Sequence, residues 1–415
     1  MKQLLHTPEG VRDIYQEECA RKHALTDRLR KVLHLYGYHD IQPPMFEYFD
    51  VFRKEIGTIP SKELYKFFDR EGNTLVLRPD ITPQIARVAA TLLAREDFPA
   101  RLCYMGNTFI NHSIYQGRLR ETTQMGAELL GLDSAAADAE MLAMVIDCMK
   151  KAGLEEFQIN VGNAEFFRSM IEDTEVDEET EMRLRELVSN RNYFGVDELL
   201  AGENVKASTR EAFDTLPDLV GGAEVLDAAK KIAPNGSALK AIKRLEQTYA
   251  LLKDYRMEDY ITFDLSMSGT YGYYTGIIFR AYTYGTGDAV VKGGRYDHLI
   301  EKFGQETASI GFAIVIDELM SALTRQKVKV DLPRNNTLVL YDETRQQEAV
   351  LLAREFRSKG KNTELLMRDP EKSVDFYLEH DRKNLGGSMV YLLGTGQIRM
   401  YNLSTGEQKV VKSEK

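Results

Sequence analysis

The 415-residue chain is long enough for two or three domains with a sizeable core. Its 43% apolar and 28% charged residues are ordinary for a globular protein, and no apolar run predicts a membrane span. A net charge of -10 disfavours non-specific nucleic-acid binding. The first residues lack the apolar stretch of a secretion signal, and the three cysteines lack metal-ligand spacing. We therefore expect a cytoplasmic protein with free thiols and no metal.

The N-terminal segments predict a helix, an extended stretch and a hairpin. Residues 17–35 carry an apolar stripe at helical spacing that ends at Gly37. Residues 41–46 are strand-like but contain two prolines. Residues 64–68 and 74–77 flank a polar turn and predict a hairpin.

The next elements alternate between helices and strands. Thr82 is predicted to cap the N-terminus of a helix, with Pro83 in the first helical position. The following predicted elements are two strands, a helix and a strand, at residues 102–109, 122–130, 135–152 and 158–161.

Residues 164–254 are rich in Glu, Lys, Leu and Ala with helical periodicity, and we interpret them as a helical insertion. Strands are then predicted at residues 261–265, 277–282 and 289–291, and an apolar strand-to-helix segment at 309–316 leads into a helix at 317–325. The pattern predicts an α+β core with a mostly antiparallel sheet, flanking helices and a pocket on the sheet face.

A charged linker is predicted at residues 326–336. Residues 337–415 then predict a small α/β domain with strands at 337–341, 363–366 and 388–393, a helix at 344–359, a second helix and a final hairpin.

Polar residues surround the loop between the two long predicted strands. The second strand carries Gln124 and Glu128, as expected of a strand that brings polar side chains into a pocket. The loop holds Gly117, Arg118 and Arg120, a composition typical of phosphate binding, although we favour a solvated loop tip for the two arginines.

Seven motifs follow one another in the order of the histidyl-tRNA synthetases, a branch of the class II synthetase fold, which the sequence resembles over roughly residues 1–325. They are TPEGVRD, LRPDITPQIARV, YMGNTF, QMGAELLG, GYYTGIIF, GGRYDHL and GFAIVID. The resemblance implies the antiparallel sheet of that fold and a C-terminal unit similar to a shortened anticodon-binding domain.

The resemblance also identifies where an ATP site would be. The family uses three arginines against the phosphate charge that builds up during amino-acid activation, and a guanidinium suits that task because it binds phosphate in a bidentate manner. Those positions hold Ile110, Gly269 and Glu318 here, and the motif 2 glutamate is His112. The comparison implies lost synthetase chemistry, with no catalytic residue and no cofactor.

The amino-acid end of that pocket is retained to a greater extent. The resemblance assigns ligand-binding roles to six residues, with Asp80 in place of the usual glutamate: Asp80, Thr82, Gln124, Glu128, Tyr274 and Tyr296. A carboxylate suits an ammonium group, while phenol and amide groups can orient an imidazole ring. Two readings stay open, a site for L-histidine or a similar ligand and a polar cluster inherited without a ligand.

This combination of a lost ATP site and a largely retained amino-acid pocket resembles the regulatory subunits of ATP phosphoribosyltransferase. It implies a non-catalytic protein that dimerises through residues 17–35 and 41–46. It would join a short-form catalytic subunit in a hetero-octamer, activate the first step of histidine synthesis and contribute to feedback inhibition by histidine. The alternatives are an active histidyl-tRNA synthetase and a stand-alone histidine or tRNA sensor. The C-terminal segment mixes both charges without an aromatic-basic stripe, which favours an inherited or partner-binding role over tRNA binding.

Overall fold

The computed structural model describes residues 5–52, 59–93, 97–112, 118–267, 273–330, 332 and 334–412. Contacts group the chain into two units. The first contains Leu25–Val328 with the N-terminal residues up to Asp13, and the second contains Ile14–Ala24 with the residues from Lys329 onward. No helix in the described ranges is both long enough and apolar enough to cross a membrane.

The described helices, in chain order, are α1 Gln16–Leu35, α2 Thr82–Leu92, α3 Ala135–Ala152, α4 Ala164–Glu172, α5 Glu178–Ser189, α6 Tyr193–Ala201, α7 Ala207–Thr215, α8 Glu224–Ile232, α9 Gly236–Asp254, α10 Ile316–Arg325, α11 Gln346–Ser358 and α12 Val374–Lys383. The strands are β1 His39–Asp40, β2 Phe46–Tyr48, β3 Lys66–Phe68, β4 Thr74–Leu77, β5 Ala100–Phe109, β6 Glu121–Leu130, β7 Phe157–Asn163, β8 Val220–Gly221, β9 Ile261–Asp264, β10 Ile277–Thr283, β11 Val291–Arg295, β12 Ser309–Val315, β13 Asn336–Tyr341, β14 Thr363–Met367, β15 Gly386–Leu392, β16 Gln397–Asn402 and β17 Gln408–Lys412.

The first unit is built on a nine-stranded sheet with the order β1-β5-β6-β12-β11-β10-β7-β9-β8. Its central strands pair antiparallel, whereas β1 with β5 and β7 with β9 are parallel. The main core contains the apolar side of α3, which is almost entirely buried. Ser134 caps this helix by accepting from the Ala137 N–H, and Gly153 ends it in the left-handed region at φ 102°.

The predicted strand at residues 41–46 is wrong over most of its length, since β1 ends at Asp40 and β2 begins at Phe46. Prolines have no N–H to give to a sheet, and side chains satisfy their carbonyls instead. Arg78 Nη1 donates to the Pro43 and Pro44 carbonyls at 2.9 and 3.2 Å, and Gln84 Nε2 donates to Pro44 at 2.9 Å. The predicted hairpin is confirmed, because β3 and β4 pair antiparallel.

Three other local predictions need correction. Thr82 lies inside α2 rather than at its cap, and the Asp80 carboxylate accepts from the backbone there. The strand predicted at 289–291 is instead β11, which begins at Val291 and includes two glycines. The helical pattern of 164–254 is confirmed by α4 to α9, but β8 interrupts it and pairs with β9.

The second unit contains a five-stranded sheet with the order β14-β13-β15-β16-β17. Strand β13 pairs in parallel with β14 and β15, and the last three strands form an antiparallel meander. Buried side chains on both faces of β13 belong to two separate apolar clusters. The alternating strand and helix pattern predicted for this segment is confirmed.

Candidate functional site

A pocket lies on one face of the nine-stranded sheet, where the start of α2 approaches β6, β11 and β12. Its described lining consists of Asp80, Thr82, Gln124, Tyr273, Tyr274, Lys292, Gly293, Gly294, Tyr296, Gly311, Phe312, Ala313 and Val315. Five of the six residues assigned from the sequence line this pocket, and the sixth, Glu128, accepts hydrogen bonds from two of them.

Glu128 is the centre of the polar network under the pocket. Thr82 Oγ1 donates to Glu128 Oε1 at 2.9 Å, and the Tyr296 hydroxyl donates to Oε2 at 2.5 Å. The side chain is almost fully buried, and this burial raises the pKa of Glu128 to about 8, although both hydrogen bonds act to lower it. The network therefore contains a carboxyl group that is largely protonated at neutral pH.

Two groups in the pocket are prepared to accept hydrogen bonds. Asp80 Oδ1 accepts from the Ile81 and Thr82 N–H groups at 2.7 and 3.3 Å, which fixes the carboxylate at the start of α2. Gln124 Oε1 is buried and has no hydrogen-bond partner among the described atoms. Because an unsatisfied buried acceptor is costly, the Gln124 oxygen suits a ligand with an N–H group.

Three tyrosines form the aromatic wall. The rings of Tyr273 and Tyr274 lie 4.9 Å apart, and Tyr273 contacts Tyr296 edge to face at 5.9 Å. Burial, followed by the nearby Glu128 charge, raises the pKa of Tyr296 well above its ordinary value, so its hydroxyl remains a donor. The sequence assignment missed Tyr273, and its position beside Tyr274 in the YYTG motif was the signal.

Two glycines on β11 and β12 leave room for these side chains. A Cβ at Gly311 would lie 1.5 Å from Glu128 Oε2, and a Cβ at Gly294 would lie 2.8 Å from the Tyr274 ring. Only glycine therefore allows Glu128 and Tyr274 to occupy their observed positions.

The positions expected to carry the ATP machinery form no cationic site among the described residues. Ile110 follows β5, and Glu318 lies in the first turn of α10, where an acidic side chain complements the helix dipole. Burial and the neighbouring arginines lower the pKa of His112, so its ring is neutral at pH 7. Gly269 lies outside the described residues.

The two loop arginines have different environments. Arg120 is half-buried, and its Nη2 donates to the His112 carbonyl at 3.1 Å, so the expectation of a solvated tip is wrong for this residue. Its side chain also packs against Gly10, whose φ of 81° favours glycine. Arg118 is exposed, and Gly117 lies outside the described residues.

The arginine of the GGRYD motif has a structural environment. Arg295 Nη2 and Nε donate to Asp138 Oδ1 at 2.6 and 3.1 Å, and Arg244 Nε donates to the other Asp138 oxygen at 2.6 Å. Asp297 accepts from Arg295 Nη1 at 3.1 Å. This buried ion cluster joins β11 to the start of α3.

One group of metal-ligand residue types comes together at the edge of the sheet, which sequence spacing did not reveal. The ligand atoms of His34, Asp40 and Cys103 lie within 4.8 Å of one another. However, Arg30 Nε lies 3.2 Å from Asp40 Oδ1, and burial raises the pKa of Cys103 to about 12. His34 Nε2 also lies 3.0 Å from Asp40 Oδ2, so Asp40 contacts both Arg30 and His34.

Comparisons with known proteins find similar sequences over most of the chain. A family model described as histidyl-tRNA synthetase matches residues 10–319. The chain is 39% identical over 413 residues to the ATP phosphoribosyltransferase regulatory subunit of Acetivibrio thermocellus, covering 99% of this chain and 98% of that protein. It is 35% identical to that of Ruminiclostridium cellulolyticum, covering 96% and 95% of the two chains.

Solved structures give the same result. A Bacillus halodurans protein described as an ATP phosphoribosyltransferase regulatory subunit/histidyl-tRNA synthetase superposes with a TM-score of 0.83 at 30% identity, over 94% of this chain and 99% of that one. A Nostoc histidyl-tRNA synthetase has a TM-score of 0.78 at 19% identity, over 98% and 97% of the chains, which is a likeness of fold alone.

The sheet and its pocket thus define a class II protein of the histidyl-tRNA synthetase type, which confirms the fold class expected from the motifs. Within that class, the chain belongs to the family of ATP phosphoribosyltransferase regulatory subunits. The resemblance inferred from the seven motifs is confirmed.

Proposed function

We propose that this chain is a non-catalytic subunit that binds and activates a short-form ATP phosphoribosyltransferase and contributes to its inhibition by histidine. The observation that carries the proposal is the 39% identity, over 99% of the chain, to a regulatory subunit of that enzyme. The proposed setting is the cytoplasm, where the enzyme begins histidine biosynthesis. The assembly is a hetero-octamer that contains dimers of this chain.

The test of activation is reconstitution with purified components. The short-form catalytic subunit from the same genome is assayed for phosphoribosyl-ATP formation alone and with increasing amounts of this chain. We expect activity to rise until the two chains reach a fixed ratio, and a complex to elute as one species. A catalytic subunit that is equally active alone would contradict the proposal.

We propose that synthetase chemistry is lost. Support comes from Ile110 and the acidic Glu318, which occupy two of the positions where the family carries an arginine that faces phosphate. Loss of one fixed donor to a developing oxyanion costs about 3 kcal/mol, so the loss of several removes most of the rate enhancement. Histidine-dependent exchange of pyrophosphate into ATP should therefore be undetectable. Exchange above background would favour the active synthetase instead.

We propose that the pocket binds L-histidine or a close analogue. The fixed Asp80 carboxylate suits the ammonium group, and the buried Gln124 oxygen needs a donor. Tyr274 supplies an aromatic wall, while Glu128 and Tyr296 form a polar floor that can face an imidazole. Calorimetry should detect histidine binding to the wild-type chain and a large loss in Asp80→Ala. Equal affinity in both proteins would contradict the assignment.

We propose that a second copy of this chain covers the surface around β2. Tyr48 is 55% exposed, Phe46 is 52% exposed, and Leu35 at the end of α1 is 85% exposed. These apolar side chains lie in and beside the two segments expected to form the dimer. Tyr48→Asp should shift the mass measured by light scattering toward the monomer, whereas Phe194→Asp, at a 72% exposed side chain of α6, should not. Monomeric wild-type protein would exclude this interface.

We propose that residues 337–415 form a domain of their own that resembles a shortened anticodon-binding domain, after a core of residues 1–325 and a linker at 326–336. Its mixed charge supports partner binding or an inherited packing role rather than tRNA binding. A gel-shift titration with tRNA that carries a histidine anticodon should show no saturable complex at physiological salt. A saturable complex would favour the tRNA-binding sensor.

A further inference from the structure

One charged pocket residue has no role in the site described above. Among the described residues that line the pocket, Asp80 is the one carboxylate and Lys292 is the one cation. The sequence assignment did not include Lys292, which directly precedes the GGRYD motif. A pocket with one fixed charge of each sign is complementary to a zwitterion.

Sheet register places Lys292 on the pocket side. Lys292 pairs with Ala313, and Ala313 pairs with Gly126 on β6. Residues directly opposite one another share a face, and Gly126 shares its face with Gln124 and Glu128 through strand alternation. The next two residues along this face, Ala313 and Gly126, are small, and the Tyr104 side chain of β5 lies over Gly126.

We infer that Lys292 binds the carboxylate of the ligand and makes the pocket selective for a zwitterionic α-amino acid. The inference rests on the proposed amino-acid site. In this arrangement Asp80 receives the ammonium group, Lys292 receives the carboxylate, and the side chain points toward Tyr274. Lys292 supplies a positive charge that Gly269 cannot supply from the position where the family carries an arginine.

Lys292 forms an ion pair with Asp288. Lys292 Nζ donates to Asp288 Oδ2 at 2.8 Å, and the Lys292 side chain is 33% exposed. Burial alone would raise the pKa of Asp288, but Lys292, then the Ala289 N–H and then Arg118 hold it below its ordinary value. An ammonium group has three donors, and this ion pair uses one of them. Within the described part of the chain, Lys292 Nζ bonds to Asp288 alone, which leaves two donors for a ligand carboxylate.

The rival explanation is that Lys292 only neutralises Asp288. The two explanations differ in what happens when the ligand has no carboxylate. Histamine keeps the amine and the imidazole of histidine but lacks that group. Calorimetric titrations of the full chain with L-histidine and histamine therefore separate them, using the wild type, Lys292→Met, Lys292→Arg and Asp288→Asn.

We expect Lys292→Met to weaken L-histidine binding by about tenfold, as for loss of one charge-assisted hydrogen bond, and to leave histamine binding unchanged. Lys292→Arg should keep most of the histidine affinity, and Asp288→Asn should not reduce it. Equal losses for both ligands, or no loss for histidine, would overturn the role of Lys292. If the wild type binds neither ligand, the proposed amino-acid site itself fails.

Discussion

The buried cluster around Asp138 gives the sharpest prediction for stability. Asp138 is 1% exposed and accepts hydrogen bonds from Arg295 and Arg244, while the Arg295 side chain is 5% exposed. Asp138→Asn keeps the shape but removes the charge, which leaves the Arg295 guanidinium buried with Asp297 as its main partner. Breaking a buried pair costs about 3–5 kcal/mol, and the remaining Asp297 places this variant near 3 kcal/mol.

This cost converts into a measurable shift in melting temperature. With an unfolding entropy of about 2 cal/mol/K per residue, the roughly 300 residues of the first unit lose about 5 °C. Asp133→Asn is the matched control, because Asp133 contacts the same arginines but is 67% exposed. It should lose less than about 1 kcal/mol, and less still in high salt. Equal shifts for the two variants in a thermal melt would refute the reasoning.

Three further predictions concern titration and packing. Burial raises the pKa of Glu128 to about 8, so the folded state holds a proton that the unfolded state releases above about pH 4.5. The melting temperature of the wild type should therefore fall from pH 5 to pH 9. The melting temperature of Glu128→Gln should fall less over the same range. Burial, with a contribution from Glu364, raises the pKa of Asp381 to about 7, so Asp381→Asn should stabilise the chain at pH 8 and have little effect at pH 4. An unchanged pH profile in either variant would contradict the corresponding assignment. Gly311→Ala would force a methyl group into Glu128 and should lower the free energy of unfolding, measured in urea, by about 1–3 kcal/mol. Gly236→Ala, which has open space around it, should not lower this free energy. Equal losses in the two variants would refute the close packing at Gly311.

The periodicity of apolar residues was sufficient to predict most helices and strands, because the apolar positions are the ones that become buried. The predicted stripe on α1 is buried at Leu25, Leu29, Val32 and Leu33, and α3 has the predicted bounds. Prediction failed where side chains replaced the usual backbone pairing. The carbonyls of Pro43 and Pro44, which Arg78 and Gln84 satisfy, are such a case, because no local pattern reveals a partner 35 or 40 residues away.

At the candidate site, too, the sequence identified individual residues but not the long-range contacts between them. Motif resemblance identified Glu128 and Tyr296, but their contact joins residues 168 positions apart and depends on sheet order. Lys292 carries no local signal, since a lysine before two glycines could equally face solvent. Its place in the pocket follows from the pairing of β11 with β12, which composition does not determine.

The measurement that tests the central claim most directly is a histidine titration of the reconstituted enzyme. Phosphoribosyl-ATP formation is followed with the short-form catalytic subunit alone, with the wild-type chain and with the Asp80→Ala chain. We expect the wild-type chain to activate the enzyme and histidine to reverse this activation, while the complex with Asp80→Ala remains active at the same histidine concentration. Identical histidine inhibition with both chains would contradict a sensing role for this pocket, and a lack of activation by the wild-type chain would contradict the regulatory function itself.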